Sequence, residues 1–586
     1  MSGRPDLVIR NGLIVDGFGD DPFEADVAVR RGLIDEVGAV SREGFREINA
    51  AGAIVTPGFV DVHTHYDGQA VWSSRLLPSS LHGVTTVVAG NCGVGFAPCR
   101  VQDRELLISV MEGVEDIPEI VMTKGLSWQW ETFPEFMSVV AAAPHDIDIG
   151  FYLPHSALRV FVMGIRGARR EPASESDLAE MNLLTREALT AGAMGFSTSN
   201  VPIHRTGRGD LIPSFDAAES EYMAVAAAMR EVGRGVFQMA VNFGGPEGAA
   251  PKIALMERIS LASTRTVTFS LVQQDAHPQQ WREILALVAA ANARPGVKIR
   301  PQVFPRPIGI LMGLNVTLNS FSLCPSYKNI AKLPMRARIA TMRDLSFRER
   351  LLMEQPDASN FPLFAISRRF DQIYPFNAPN YEPSASTSIA AIARATGRQP
   401  EAVAYDEFLK DEGNALLFAA LNNYAEHTLD PTFEMMSSPH TIVGLGDGGA
   451  HYGLVCDAGY PTYILTHWVR DRAGSKLTLA AAIRSLSLDP ARLVGLEDRG
   501  AIYPGLKADL NVIDFSRLAL ELPTVRHDLP QQTRRIHQEA RGYRATIVNG
   551  QLIINNDTFT GILPGRVLCQ HAQREQQQCQ VRNHDV

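Results

Sequence analysis

The chain is short of the residues that mark secreted and membrane proteins. Six cysteines are scattered through 586 residues (Cys92, Cys99, Cys324, Cys456, Cys569 and Cys579), which is no disulfide framework and predicts a reducing compartment, the cytoplasm. The opening Met1-Ser2-Gly3-Arg4-Pro5-Asp6-Leu7 lacks the apolar core of a signal peptide. No uninterrupted apolar run approaches membrane-spanning length. Basic residues are outnumbered by acidic ones, 55 to 64, for a net charge of −9, which argues against nucleic acid or an anionic membrane as partner and leaves room for small anions. Internal repeats are absent. Apolar residues make up 45% and charged residues 20%, the balance of a globular protein long enough for one large domain and a smaller one.

What the chain does have begins at Thr56-Pro57-Gly58-Phe59-Val60-Asp61-Val62-His63-Thr64-His65-Tyr66-Asp67. A short apolar run ends in two histidines at i and i+2, and in an extended strand such side chains point to the same face. His63 and His65 therefore aim at one spot and are placed to hold a divalent metal. Further along, strand and helix signals alternate. Strand candidates end near His65, Cys92, His155, Ser199, Phe243, Gln274, Arg306 and Asp447. Stretches 174–191, 217–232 and 279–293 have helical apolar spacing. Eight such units predict an α/β chain folded as a (β/α)₈ TIM barrel, with functional groups at the strand C-termini; a doubly wound open sheet is the alternative.

The flanks read differently. Residues 7–15 suggest two short strands around a turn, residues 24–55 continue with strand-like pieces, and 508–514 and 545–554 mirror them. Both chain ends are expected to meet in one small β-domain. This divides the chain into 1–56 (β-domain, first part), 57–306 (barrel strands one to seven), 307–440 (an insertion), 441–500 (barrel closure) and 501–586 (β-domain, second part, and tail). The insertion, with Tyr327 as a candidate substrate contact, is far longer than a usual connection. It reads as a lid that excludes water or as a packing subdomain. The Gln- and Arg-rich tail from Gln570 is expected to be mobile or to mediate a homo-oligomer contact.

Two more strand ends carry chemistry. Cys92 in Gly90-Asn91-Cys92-Gly93 lies where a thiolate beside two imidazoles would suit zinc; the bland reading is a small buried hydrophobe. Asp447 in Gly446-Asp447-Gly448-Gly449-Ala450-His451 could ligate metal or serve as general base and then hand the proton to a leaving amine, or could simply form a turn. His451 is a candidate for contact with substrate.

On these motifs the chain resembles the amidohydrolase superfamily, and within it the D-aminoacylase (N-acyl-D-amino-acid deacylase) family. His155-Ser156-Ala157-Leu158-Arg159, residues 192–197, Gly505 to Asp514 and Thr546 to Gly550 extend the match to nearly the whole chain. The resemblance implies a (β/α)₈ barrel, a flanking β-domain, an insertion near the barrel mouth and zinc-assisted hydrolysis of an N-acyl bond. It also exposes two departures. Family members with a full metal site carry a histidine at the end of strand five and another at the end of strand six, where this chain has Gln238 to Asn242 and Gln273-Gln274-Asp275. A neutral amide is a poor zinc ligand, so the expectation is one Zn²⁺ per chain held by His63, His65, Cys92 and Asp447.

Around that ion, His155 could donate to the oxyanion or be a structural histidine under the barrel rim. Arg159 or Arg205 could grip a substrate carboxylate, with His204 nearby. Gln238, Asn242, Gln273 and Gln274 would form a neutral polar wall facing an amide, imide or polar ring. The expected activity is hydrolysis of a small-molecule amide, first of all an N-acyl-D-amino acid. A cyclic amide hydrolase is an alternative, weakened because strand four offers no lysine to carboxylate. A non-catalytic binding protein is the third.

Overall fold

The computed structural model describes residues 3–359 and 361–568; the Gln-rich tail expectation lies outside them. Eight parallel strands stand in sequence order around one sheet: β1 (Phe59–Asp61), β2 (Val84–Ala89), β3 (Asp148–Pro154), β4 (Gly195–Ser199), β5 (Val236–Ala240), β6 (Val267–Leu271), β7 (Ile299–Val303) and β8 (Ile442–Val443). The sheet curls until its edges meet. Past the formal ends of β1 and β8, His65 N–H donates to Gly448 O at 2.7 Å and Asp447 N–H to His63 O at 3.0 Å. Every residue of β2 and β3 is buried, as expected for strands covered on both faces.

The long helix before β4 starts and stops where side-chain chemistry dictates. In Glu175–Ala191, Ser174 and Asp177 cap each other's backbone N–H groups, and Gly192 at φ 117° ends the helix. The spacing-based helices are found at Glu175–Ala191, Glu219–Val232 and Gln280–Asn292.

Both ends of the chain build one nine-stranded sheet beside the barrel, in which Ile54–Pro57 pairs antiparallel with Leu510–Ile513. One expectation fails there. Residues 7–15 form a single strand, Leu7–Ile14, rather than a hairpin. Asn11 (φ 57°) and Gly12 make a bulge that shifts the pairing register with Phe23–Arg30. The two halves then serve different neighbours, Arg46–Asn49 and Ile54–Val55.

Between β7 and β8 the chain leaves the barrel to form a three-stranded antiparallel sheet (Ile308–Met312, Ile373–Pro375, Leu417–Asn422) with helices that include Pro325–Ile330 and Pro400–Phe408. It has its own apolar core around Met312, Phe321, Met342, Tyr405 and Phe408. Asn423 stitches this insertion to the barrel mouth: its Oδ1 accepts from Gln273 N–H at 2.8 Å and its own N–H donates to Gln273 O at 2.9 Å. No helix of the described residues is long and apolar enough to cross a membrane.

Candidate active site

β1 continues in extended form beyond Asp61, so His63 and His65 keep the alternation expected of a strand; Thr64 is held by β2, donating from N–H and Oγ1 to Val88 O. After β2 the chain turns through Gly90 (φ 81°), Cys92 (φ 55°) and Gly93 (φ 70°). A Cβ on Gly90 would stand 2.6 Å from Tyr152 O, so only glycine permits this turn. The turn is pinned by Asn91, whose amide donates to Thr64 O and Val88 O, and it aims the thiol inward. Cys92 Sγ lies 3.5 Å from His63 Nε2. After β8, Asp447 (φ 46°) brings Oδ1 to 3.4 Å from His63 Nε2 and 3.6 Å from His65 Nε2. One ligand atom each from His63, His65 and Cys92 fits within 4.8 Å of the others.

A second layer fixes these rings. His63 Nδ1 is 2.9 Å from Oε1 of buried Gln302, whose amide donates to Thr268 Oγ1. His65 Nδ1 is 3.3 Å from Glu115 Oε1, close enough for electrostatic contact but poorly aligned for a hydrogen bond. The other Glu115 oxygen lies 3.6 Å from His451 Nε2. His63 Nε2 thus faces Cys92 and Asp447, and His65 Nε2 faces Asp447.

The electrostatics ask for a cation. Burial and neighbouring carboxylates push the Cys92 thiol and the Glu115 carboxyl well above their ordinary values. Burial raises Asp61 to about 8 and Asp67 to about 7. Burial alone would push Asp447 up too, but the His65 ring facing it, with His63 and His451, outweighs burial and holds this carboxyl well below the usual range. Acids thus crowd a site whose ligand group contains no Lys or Arg. His63, His65 and Cys92 would hold a divalent ion, which would supply the missing charge and favour the thiolate, so the donor set fits zinc.

The cluster opens into a cavity of about 600 Å³. Its wall is largely apolar, with Val114, Ile203, Val241, Val272, Phe304 and Leu421 among its residues. β5, β6 and the residues just after them contribute Ala240, Asn242, Ser270, Val272 and Gln274 there, with no imidazole for a second ion. A comparable hollow of about 630 Å³ near Asp103, Arg169 and Arg208 lies away from this cluster, and no metal-ligand group of three was found there among the described residues.

His63, His65, Cys92, Asp447, His204 and His451 line the site cavity. Six other candidates do not reach it. His155 is fully buried, with Nδ1 at 2.9 Å from Thr198 Oγ1 and Nε2 at 3.1 Å from Glu221 Oε2. Arg159 is also buried; it pairs with Glu221 at 2.8 Å and donates to Pro213 O and Glu171 O. Arg205 turns back to Gly209 O within its own loop. Gln238 uses Oε1 to accept from Cys92 N–H at 3.0 Å. Gln273 clamps the insertion, accepting from Ala425 N–H in addition to the Asn423 bonds. Tyr327 packs in the insertion's own core and accepts from Asn319.

Sequence reasoning missed Glu115, Gln302 and the pair Arg369–Asp275. Gln302 left a signal, a polar residue inside a buried strand. Glu115 ends helix Arg104–Glu115 and left none. Arg369, from the insertion, is the sole Lys or Arg among the described residues lining the cavity, and its guanidinium lies 2.5 Å from Asp275 Oδ2.

The family model described as "Amidohydrolase family" matches residues 46–554. Among relatives, an uncharacterised protein of Mycobacterium tuberculosis is 28% identical over 532 residues, covering 88% of this chain and 85% of that protein. The D-aminoacylase of Alcaligenes xylosoxydans xylosoxydans is 24% identical over 574 residues, covering 97% and 98%. A solved D-aminoacylase, studied for one-metal activation and second-metal attenuation of its binuclear centre, is 23% identical, covers 96% of this chain and 100% of its own, and superposes with a TM-score of 0.65. With a closed parallel barrel, a flanking β-domain and a His–His–Cys cluster at the mouth, the chain belongs to the amidohydrolase family, hydrolases of carbon–nitrogen bonds other than peptide links, and stands beside the D-aminoacylases within it.

Proposed function

We propose that the protein is a mononuclear metal-dependent amide hydrolase that removes the acyl group from an N-acyl-D-amino acid. The observation that carries this reading is the convergence of His63, His65 and Cys92 within 4.8 Å, with Asp447 against both imidazoles. His63, His65 and Cys92 would hold the ion, with Asp447 at its open side. When bound, a divalent ion acidifies water and polarises the scissile carbonyl. Asp447, ionised across the neutral pH range, takes the proton from the attacking water and delivers it to the leaving nitrogen. Gln302 keeps the His63 imidazole in register through this exchange, and Glu115 faces His65. The apolar wall receives the acyl group and side chain. Arg369, held by Asp275, takes the substrate carboxylate, the role sequence reasoning gave to Arg159 or Arg205.

The absence of a histidine at the ends of β5 and β6 among the cavity-lining residues supports a reading with one ion, in keeping with the one-metal activation described for the D-aminoacylase neighbour. The test is a hydrolysis screen over paired D- and L-N-acyl amino acids with metal content measured in parallel. Cleavage confined to D-substrates by metal-loaded protein supports the reading. A well-folded, zinc-loaded protein that cleaves none of them contradicts it.

A further inference from the structure

His204 follows β4 and lines the cavity. Its Nδ1 is 2.8 Å from Oγ of Ser199, the last residue of β4 and fully buried. Ser199 Oγ also accepts the N–H of Val201 at 3.2 Å. Ser214, the other hydroxyl at this turn, donates to the main-chain O of Ser199 and makes no demand on its side chain.

These contacts fix the proton positions. A hydroxyl has one proton to give and two lone pairs. Were the imidazole proton on Nδ1, Ser199 Oγ would accept twice and its own proton would be left without a partner in a buried site, a loss of about 1–3 kcal/mol. With the hydroxyl donating to Nδ1, every group is satisfied. The neutral ring then carries its proton on Nε2, the nitrogen not taken by Ser199. Burial, with the His65, His451 and His63 rings nearby, holds the His204 pKa down to about 3, so the ring is neutral in the working range.

We propose that His204, set in its Nε2–H tautomer by Ser199, donates a hydrogen bond to the carbonyl oxygen of the scissile amide as negative charge develops on it. This rests on the amide-hydrolase reading and gives His204 the part that sequence reasoning assigned to His155. Ser199 is the positioning residue. The hydrogen bond strengthens as the carbonyl oxygen becomes an oxyanion, so it acts on kcat more than on KM.

The test has two arms on the full-length, zinc-loaded protein. The first is a proton–nitrogen correlation spectrum of ¹⁵N-labelled histidine rings, with the His204 signals identified by their loss in H204Q. The Nε2–H pattern is expected in the wild type and a mixture of tautomers in S199A; an Nδ1–H ring in the wild type overturns the proposal. The second arm uses N-acetyl-D-leucine, chosen for the apolar wall. H204A should lower kcat about 10²–10³-fold with KM changed less than about threefold, and H204Q, which keeps an N–H at similar reach, should recover part of the loss. An unchanged kcat, or a loss confined to KM, overturns it. A wild type inactive on N-acetyl-D-leucine strikes the deacylase reading instead, and the ring spectrum still decides the donor assignment.

Discussion

Replacing Gln302 by leucine tests whether the metal site is set from its second layer. Gln302 is fully buried in β7, accepts from His63 Nδ1 at 2.9 Å, and donates to Thr268 Oγ1 at 3.1 Å. Leucine fills nearly the same volume and removes the acceptor. His63 then loses the bond that keeps its proton on Nδ1, and the tautomer with Nε2 protonated, which cannot ligate, becomes populated. Loss of such an outer partner lowers metal affinity about 10–100-fold, which is about 1.4–2.7 kcal/mol. A separate cost falls on the metal-free fold, because the unpaired His63 N–H is buried and costs about 1–3 kcal/mol. Competition against a chromogenic chelator measures zinc affinity, and thermal melts of metal-free wild type and Q302L isolate the folding cost. Q302E, which restores an acceptor, should regain affinity. Q302L that binds zinc within about threefold of wild type would show that Gln302 does not set the ring.

Asp447→Asn should lower turnover about 10²–10⁴-fold and, because the facing imidazoles favour the ionised carboxylate, lower the melting temperature of the metal-free protein at pH 7; kinetics and melts on one preparation check both. Arg369→Met should raise KM for an N-acyl amino acid far more than for its uncharged amide, read from the two KM ratios. At the far end of the barrel, buried Asp148 accepts from Lys507 at 2.5 Å and Asn549 at 2.9 Å, both from the β-domain, and from Arg499 at 2.8 Å on the segment leading into it. Burial works against its charge, but Lys507 and Arg499 prevail and bring its pKa to about 2. A depressed carboxylate stabilises fully above its ordinary value near ~3.9 and loses that contribution as pH falls through the lowered one. Asp148→Asn should therefore cost about 2–3 kcal/mol at pH 7, and its deficit in melting temperature should shrink as the pH approaches 2.

The barrel was legible because its strands and helices differ in period, and because His63 and His65 announce a strand end by their i, i+2 spacing. Cys92 and Asp447 stood beside glycines that allow the positive φ their turns need. The partners of these residues were not legible. Glu115 arrives from a helix, and Arg369 from an insertion whose placement depends on the Gln273–Asn423 clamp. Asn242 and Gln274 do line the cavity, but Gln238 and Gln273 misled for a physical reason. Inward polar residues on barrel strands were read as a substrate wall, whereas the irregular backbone beyond the strands leaves N–H groups that need acceptors. Gln238 meets that need for Cys92. His155 and Arg159 misled in the same way, since both are buried and bound to Glu221 in the packing around β3 and β4.

Metal per chain, measured by elemental analysis beside activity, bears most directly on the central claim. The account predicts close to one zinc in active wild type, loss of both zinc and activity in C92A and H63A, and return of wild-type activity when zinc is restored after chelation. Full activity in metal-free protein, or undiminished zinc in both variants, would contradict it.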